Sequence, residues 1–235
     1  MCGRFTREFS WREVHDFLDL RIPAQLEIEP SWNVAPTQVS HVARIAPGAA
    51  GGSDRELMPM RWGLVPFWAD DVSIGSRLIN ARAEGIESKP AFRAALRARR
   101  CVVPVSGFYE WKKADAGDGA KAAKHPYYIT PAEGKILALA GLWERWERGE
   151  TVLETFTIIT TAPNAMMAEL HDRMPAVLDP PEIGGWLDAG TPVTAALSLL
   201  GPAPDGSLDR RRVGMRVNSA RNNGPELIDA DPGLF

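Results

Sequence analysis

Apolar residues recur along this chain with two periods, and the switches between them divide it into elements. Val14, Phe17 and Leu18 recur at helical spacing behind Ser10-Trp11-Arg12-Glu13, a capping box in which the serine side chain and the glutamate satisfy each other's backbone ends. The pattern predicts a helix opening at Ser10, with His15 on its polar side. Trp32-Asn33-Val34-Ala35-Pro36-Thr37-Gln38 reads as a loop, because Pro30 and Pro36 bracket it. Alternating runs then predict strands at 39–46 and 56–62, joined by a Gly/Ala-rich turn at 47–53.

Ser88-Lys89-Pro90 opens a second predicted helix, with proline early, where its missing N–H costs nothing. This helix runs through Phe92 and Leu96 to a basic end at Arg97, Arg99 and Arg100, which complements a helix C-terminus. Cys101 to Trp111 reads as one buried strand, and further strands are expected at 126–130, 135–142 and 152–160, with a charged turn at 144–150. Thr161 would cap a short helix from Pro163 to Leu170. Helices at 182–188 and 192–200 and a strand near 211–217 complete the pattern, followed by a polar, turn-forming tail. Residues 114–124, rich in Ala, Gly, Asp and Lys, read as a mobile hairpin loop without chemistry. No internal repeat, phosphate-binding glycine loop or nucleotide motif occurs.

Composition narrows the class. A chain of 235 residues with 45% hydrophobic and 24% charged residues matches an ordinary globular protein and fits one large domain. No apolar run approaches the ~20 residues that span a bilayer, and no signal peptide is visible, so a cytoplasmic location is expected. The two cysteines, Cys2 and Cys101, lie 99 positions apart and provide neither metal spacing nor a disulfide framework. Cys101, at the head of an apolar run, is expected to be a buried structural thiol. A net charge of −3 argues against bulk polyanion binding, although a local basic cleft can exist on an acidic protein. Eight tryptophans are many, and those beside arginines are what a stacking platform for single-stranded nucleic acid would use.

The candidate chemistry begins at Met1-Cys2-Gly3-Arg4-Phe5. Cys2 is small enough for Met1 to be removed in the cytosol, which would leave an amine and a thiol on adjacent carbons. Their ordinary pKa values, about 7.7–8.0 and about 8.5, leave both partly deprotonated near neutrality. An aldehyde could form an imine with the amine, and the thiol could then close a thiazolidine ring. The bland reading is a small hydrophobe on a loose terminus. Glu110 sits between aromatics in Gly107-Phe108-Tyr109-Glu110-Trp111, where desolvation would raise its pKa toward that of a general acid/base. An outward-facing Glu on an alternating strand fits the pattern equally. Leu78-Ile79-Asn80-Ala81-Arg82-Ala83-Glu84 reads as a polar loop of the density found at sites. In His171-Asp172-Arg173-Met174-Pro175 a histidine is held at a helix end beside Asp and Arg. Arg61-Trp62-Gly63-Leu64-Val65-Pro66-Phe67-Trp68 is either a rigid cap on the core or a surface that stacks on bases.

These stretches, with Asn33-Val34-Ala35-Pro36, occur in an order that resembles the SRAP family, the SOS-response-associated peptidase fold whose members crosslink to abasic sites in single-stranded DNA. The likeness runs from residue 1 to about 228. It implies an α+β fold: a single domain, residues 1–235, with a β-rich, barrel-like core and flanking helices. It implies that Cys2 crosslinks, that Asn80 orients the N-terminal group, that Glu110 is the general acid/base and that His171 assists proton transfer as the sugar ring opens. Arg4, Arg82 and Arg173 would hold phosphates and Trp68 would stack near the lesion. Phe67-Trp68 replaces a pair of tryptophans found in some relatives, which bears on stacking and not on the chemistry. The implied partner is single-stranded DNA with an abasic site, or a single-strand/double-strand junction, met in the cytoplasm or on the nucleoid; the sequence carries no signal of oligomeric state, and a monomer is the default. No metal, cofactor or membrane is implied.

Two other readings use the same residues. In a cysteine hydrolase of N-terminal-nucleophile type, Cys2 would attack a peptide carbonyl with His171 as base and Asn80 or Glu110 as orienter. In a plain single-stranded DNA binder, Arg and Trp side chains would act without any covalent step.

Overall fold

Five strands close into a ring at the centre of the computed structural model, which describes residues 2–21, 27–48, 54–113 and 124–231. In chain order the elements are β1 (Phe5–Arg7), α1 (Trp11–Leu18), β2 (Ser31–Val34), β3 (Val39–Ile45), β4 (Arg55–Trp62), β5 (Asn80–Arg82), α2 (Arg93–Ala98), β6 (Arg100–Val105) and β7 (Gly107–Lys113). There follow β8 (Lys124–Pro131), β9 (Leu137–Arg148), β10 (Thr151–Thr161), α3 (Ala165–Ala168), β11 (Met174–Pro175), β12 (Val177–Leu178), α4 (Glu182–Leu187), α5 (Val193–Ser198) and β13 (Leu208–Arg212). β10 runs parallel to β4 and antiparallel to β9, and antiparallel pairs β4–β3, β3–β6 and β6–β9 complete the ring. Closure removes the open edges that a free sheet would expose.

The barrel strands are apolar on both faces. Ala43, Leu57, Val102 and Ala140 pack in one cluster with residues of α1, α2, α4 and α5. Their neighbours in the chain, Val42, Cys101, Val103 and Leu139, pack in a second cluster with Cys2, Trp62 and Phe156. This is why β6 reads as a continuous apolar run, with every residue buried. A second sheet, ordered β13-β8-β7-β1-β2, carries the N-terminal segment against β7. The fold is α+β, a single domain with a barrel core and flanking helices, as expected.

The capping box of α1 forms as the sequence predicts, with Ser10 Oγ accepting the Glu13 amide at 3.3 Å and Glu13 accepting the Ser10 amide at 2.8 Å. Val14 and Leu18 are buried, while Phe17 is only half-buried. Other expectations are corrected. The first three residues of the expected loop at Trp32–Gln38 belong to β2, which pairs with β1 because the bracketing prolines lie outside the paired residues. The supposed polar loop around Asn80 is β5, a short strand parallel to β10. The single strand from Cys101 to Trp111 is two strands in different sheets, broken at Ser106. There Ser106 donates its N–H to Thr6 O at 2.9 Å and its Oγ accepts the Glu8 amide at 2.8 Å. Gly107 follows because a Cβ there would meet Tyr128 and Ile129 O at 2.6 Å.

The second helix starts at Arg93, since Lys89 before Pro90 is extended, as a residue preceding proline prefers. Asn164, and not Thr161, caps α3 by accepting the Met167 amide at 2.9 Å; Thr161 still belongs to β10. β9 runs through most of the expected charged turn, and the last strand ends at Arg212, with a 3-10 turn at Met215–Asn218. The turn at 49–53 and most of the loop at 114–124 lie outside the described residues.

Candidate active site at the meeting of two clefts

β1 lies between β2 and β7, with Phe5 opposite both Val34 and Phe108, and the Tyr109 amide donates to Arg4 O at 2.9 Å. Extending this antiparallel register toward the N-terminus sets Gly3 opposite Glu110 and Cys2 opposite Trp111, one position further on. Cys2 is completely buried in the cluster that holds Phe5, Trp62 and Phe156. Burial pushes its thiol well above the ordinary range, and the nearby Glu110 charge pushes further in the same direction. The thiol is therefore neutral at physiological pH. β5 delivers Asn80 from the other side, and its Nδ2 donates to Cys2 O at 2.8 Å. The Asn80 Oδ1 is buried and accepts no hydrogen bond among the described residues. A buried acceptor left open on a side chain already bonded to residue 2 calls for a donor.

Glu110 and His171, 61 positions apart in sequence, line the same cleft of about 1110 Å³, together with Arg4. Glu110 is only 4% exposed, and its Oε1 accepts the Trp111 amide at 3.2 Å. His171 Nδ1 has two suitors: the Arg173 amide donates to it at 3.1 Å, and the Asp172 carboxylate lies 2.8 Å away. The amide requires a lone pair on Nδ1 and the carboxylate requires a proton there. A ring with its proton on Nε2 would accept from the amide, and one with a proton on Nδ1 would donate to Asp172.

Arg4 points its fork inward. Its Nη1 donates to Asn33 Oδ1 at 2.7 Å and Val217 O at 2.8 Å, and Nη2 reaches Asn218 O at 3.3 Å. Asn33 is held in turn by Ser219 O and Asn222 O. All these acceptors are neutral, so the positive charge of Arg4 is anchored without being balanced.

A second cleft, about 480 Å³, contains Asn80, Arg82, Lys89, Phe92 and Arg173. The run 171–173 is the ridge between the two, with His171 and Asp172 facing one cleft and Arg173 the other. Arg173 is chelated by Glu84 at 2.7 and 2.8 Å and also reaches Thr160 O at 2.5 Å. That guanidinium holds the Glu84 carboxyl below its usual range. Arg82 is exposed and makes no ion pair among the described residues. The lysines of both clefts are lining groups that the sequence did not single out, because their neighbourhood depends on partners far away in the chain, and Asn33, read only as part of a motif, lines neither cleft but anchors Arg4.

Trp68 stands apart from both clefts, 45% exposed beside Phe67 at 52%. Their loop is braced from behind. Trp146 Nε1 and Arg148 Nη2 each donate to Ala69 O at 2.8 Å, and Gly63, at φ +117°, packs so closely that a Cβ would sit 2.6 Å from Gly75 O. Two large aromatic faces are thus presented to solvent on a fixed support. Among the described residues no group of three or more His, Cys, Asp or Glu gathers as metal ligands would, and no helix is long and apolar enough to cross a membrane.

Barrel and clefts together define a mixed β-barrel protein in which Cys2 is buried beside two clefts lined by arginine and lysine side chains. The chain belongs to the SOS response associated peptidase (SRAP) family, whose sequence profile matches residues 1–220. It is 40% identical over 234 residues to the abasic site processing protein YoaM of Bacillus subtilis (strain 168), with 98% of this chain and 99% of that one covered. The abasic site processing protein HMCES of Xenopus tropicalis is 34% identical over 230 residues, 86% of this chain and 66% of that protein. The X-ray structure of a protein from Bacteroides thetaiotaomicron superposes with a TM-score of 0.81 at 25% identity, covering 97% of this chain and 99% of that one.

Proposed function

We propose that this protein, acting as a cytoplasmic or nucleoid-associated monomer, captures abasic sites in single-stranded DNA through a thiazolidine formed by Cys2 after Met1 is removed. The observation that carries the reading is the hydrogen bond from Asn80 to the Cys2 carbonyl, with the Asn80 Oδ1 left open and Glu110 close enough to act on the thiol. The names of the relatives, abasic site processing proteins, support the substrate.

The electrostatics set the order of events. The thiol is held neutral, whereas an α-amine with an ordinary pKa of about 7.7–8.0 is partly free base near neutrality. The amine therefore attacks the open aldehyde first, positioned by donating to Asn80 Oδ1. The carbinolamine loses water to give an imine, with Glu110 passing the proton to the departing oxygen. The thiol then adds to the imine carbon: a carbon–sulfur bond forms and the thiol proton ends on nitrogen, relayed by Glu110. One water is lost overall, and consuming the imine suppresses the β-elimination that would cut the strand. His171, with its alternative Nδ1 partners, moves the proton that opens the sugar ring. Arg82 meets a phosphate directly, Arg4 contributes its unbalanced charge, the Arg173–Glu84 pair shapes the cleft wall, and Trp68 stacks on a base near the lesion.

A cysteine hydrolase needs its thiol pulled down toward the thiolate. Burial and Glu110 push Cys2 the other way, which favours aldehyde capture. The test is to incubate Met-processed protein with single-stranded DNA carrying one abasic site, denature it and weigh the product. A species at the summed mass less one water, absent for Cys2→Ala, is expected; no adduct from the intact protein overturns the reading.

A further inference from the structure

Two of the three arginines in the clefts have their forks occupied by protein acceptors, which leaves other cations to meet a long polyanion. We infer that Lys112, Lys113 and Lys124, on the β7–β8 hairpin, form a second phosphate-binding subsite for the strand on the side of Cys2 opposite Arg82. The inference rests on the DNA-capture reading above.

All three lysines line the larger cleft together with Glu110, while Arg82 and Lys89 line the smaller one across the 171–173 ridge. Lys113 and Lys124 are direct cross-strand partners. Like charges at opposed positions of an antiparallel pair destabilise it, and an anion lying across them removes that cost. The carboxylates in the same cleft are engaged first elsewhere: Glu169 is paired with Arg210 and feels Lys112 only as a lesser influence, and Asp172 lies at His171 Nδ1. Among the described residues none of the three lysines makes an ion pair. Flexible ammonium groups that supply charge without a fixed fork suit backbone phosphates, which need no sequence readout. A strand passing over Cys2 would then find cations on both flanks of the lesion.

Non-covalent binding is the readout, measured on the Cys2→Ala protein with an abasic single-stranded oligonucleotide across a salt series. Replacing the three lysines with glutamine should reduce the slope of log affinity against log salt by about 2, from roughly 0.7 per phosphate contact on a single strand. Replacement by arginine should restore the slope, which also shows that the hairpin tolerates substitution. An unchanged slope in the glutamine variant overturns the subsite. A Cys2→Ala parent without salt-dependent binding overturns the DNA reading itself. Oligonucleotides extending from the lesion in only one direction separate the flanks: the lysine variant should be impaired on one and Arg82→Ala on the other. Both variants impaired on the same oligonucleotide would overturn the two-sided path.

Discussion

Cys2 and Cys101 are both free, both completely buried, and both have thiols pushed far up by burial. They even belong to one apolar cluster. What differs is the polar company. Cys101 sits within β6, its carbonyl accepts the Trp186 indole N–H at 2.8 Å, and its sulfur would lie 3.0 Å from any Cβ added at Gly141. Its surroundings are filled and satisfied. Cys2 lies at the chain start, with a carboxylate acting on its sulfur, an amide on its carbonyl and a cleft alongside. Burial alone therefore does not mark a reactive thiol. The two are told apart by their polar neighbours, Cys2 having beside it the Asn80 Oδ1 that accepts no hydrogen bond among the described residues.

The sharpest way to break this contrast is to remove each sulfur. Cys2→Ala should abolish the DNA adduct on a denaturing gel and Cys101→Ala should retain it; loss of the adduct in a folded Cys101→Ala protein would place the chemistry elsewhere. Next in size, Glu110→Gln and His171→Ala should each slow adduct formation or its reversal by about 10²–10⁴-fold, the usual worth of a positioned acid/base. Rapid-quench time courses read this directly, and unchanged rates in both variants would remove their proposed roles.

On the barrel side, Gly141→Ala forces a methyl to 2.9 Å from Thr157 O and 3.0 Å from Cys101 Sγ. Overpacking of this kind costs about 1–3 kcal/mol, visible as a lower midpoint of thermal unfolding. The adduct rate should be unaffected at temperatures where the protein stays folded.

The smallest effect concerns His41 on β3, whose ring is lowered to about 4 by burial and then by Arg7, 3.4 Å from its Nδ1. The unfolded chain takes up this proton near 6.5, and the folded chain only near 4. Stability from this group is therefore complete above pH 6.5 and declines as pH falls from 6.5 toward 4. His41→Gln should flatten denaturation midpoints across that window, and an undiminished pH slope would assign the dependence to other groups.

Much of the fold was legible because it is local. The α1 capping box needs only residues 10 to 13, and the strands expected at 39–46 and 56–62 appear at 39–45 and 55–62, since alternation is a property of consecutive side chains. The break at Ser106 was not legible, because both halves of 101–111 are equally apolar. Only the pairing of one half with β9 and the other with β1 and β8 separates them. The stretch around Asn80 was read incorrectly as loop, since three residues that pair with a strand nearly eighty positions away carry no periodic signal of their own.

The sequence by itself determined the family, through six short motifs in order, and with it the identities of Cys2, Asn80, Glu110 and His171 as candidates. Tertiary structure alone decided what each cation is free to do. Arg4 and Arg173 looked like phosphate holders equivalent to Arg82, yet their forks close on Asn33, Val217 and Glu84, partners 29, 213 and 89 positions distant. Lys124 belonged to the run read as a loop without chemistry and Lys112 and Lys113 were not singled out, yet all three line the larger cleft. Residue type and local periodicity are written in neighbouring positions. Whether a charge is spent on the protein or left for a ligand depends on contacts made only when distant strands meet.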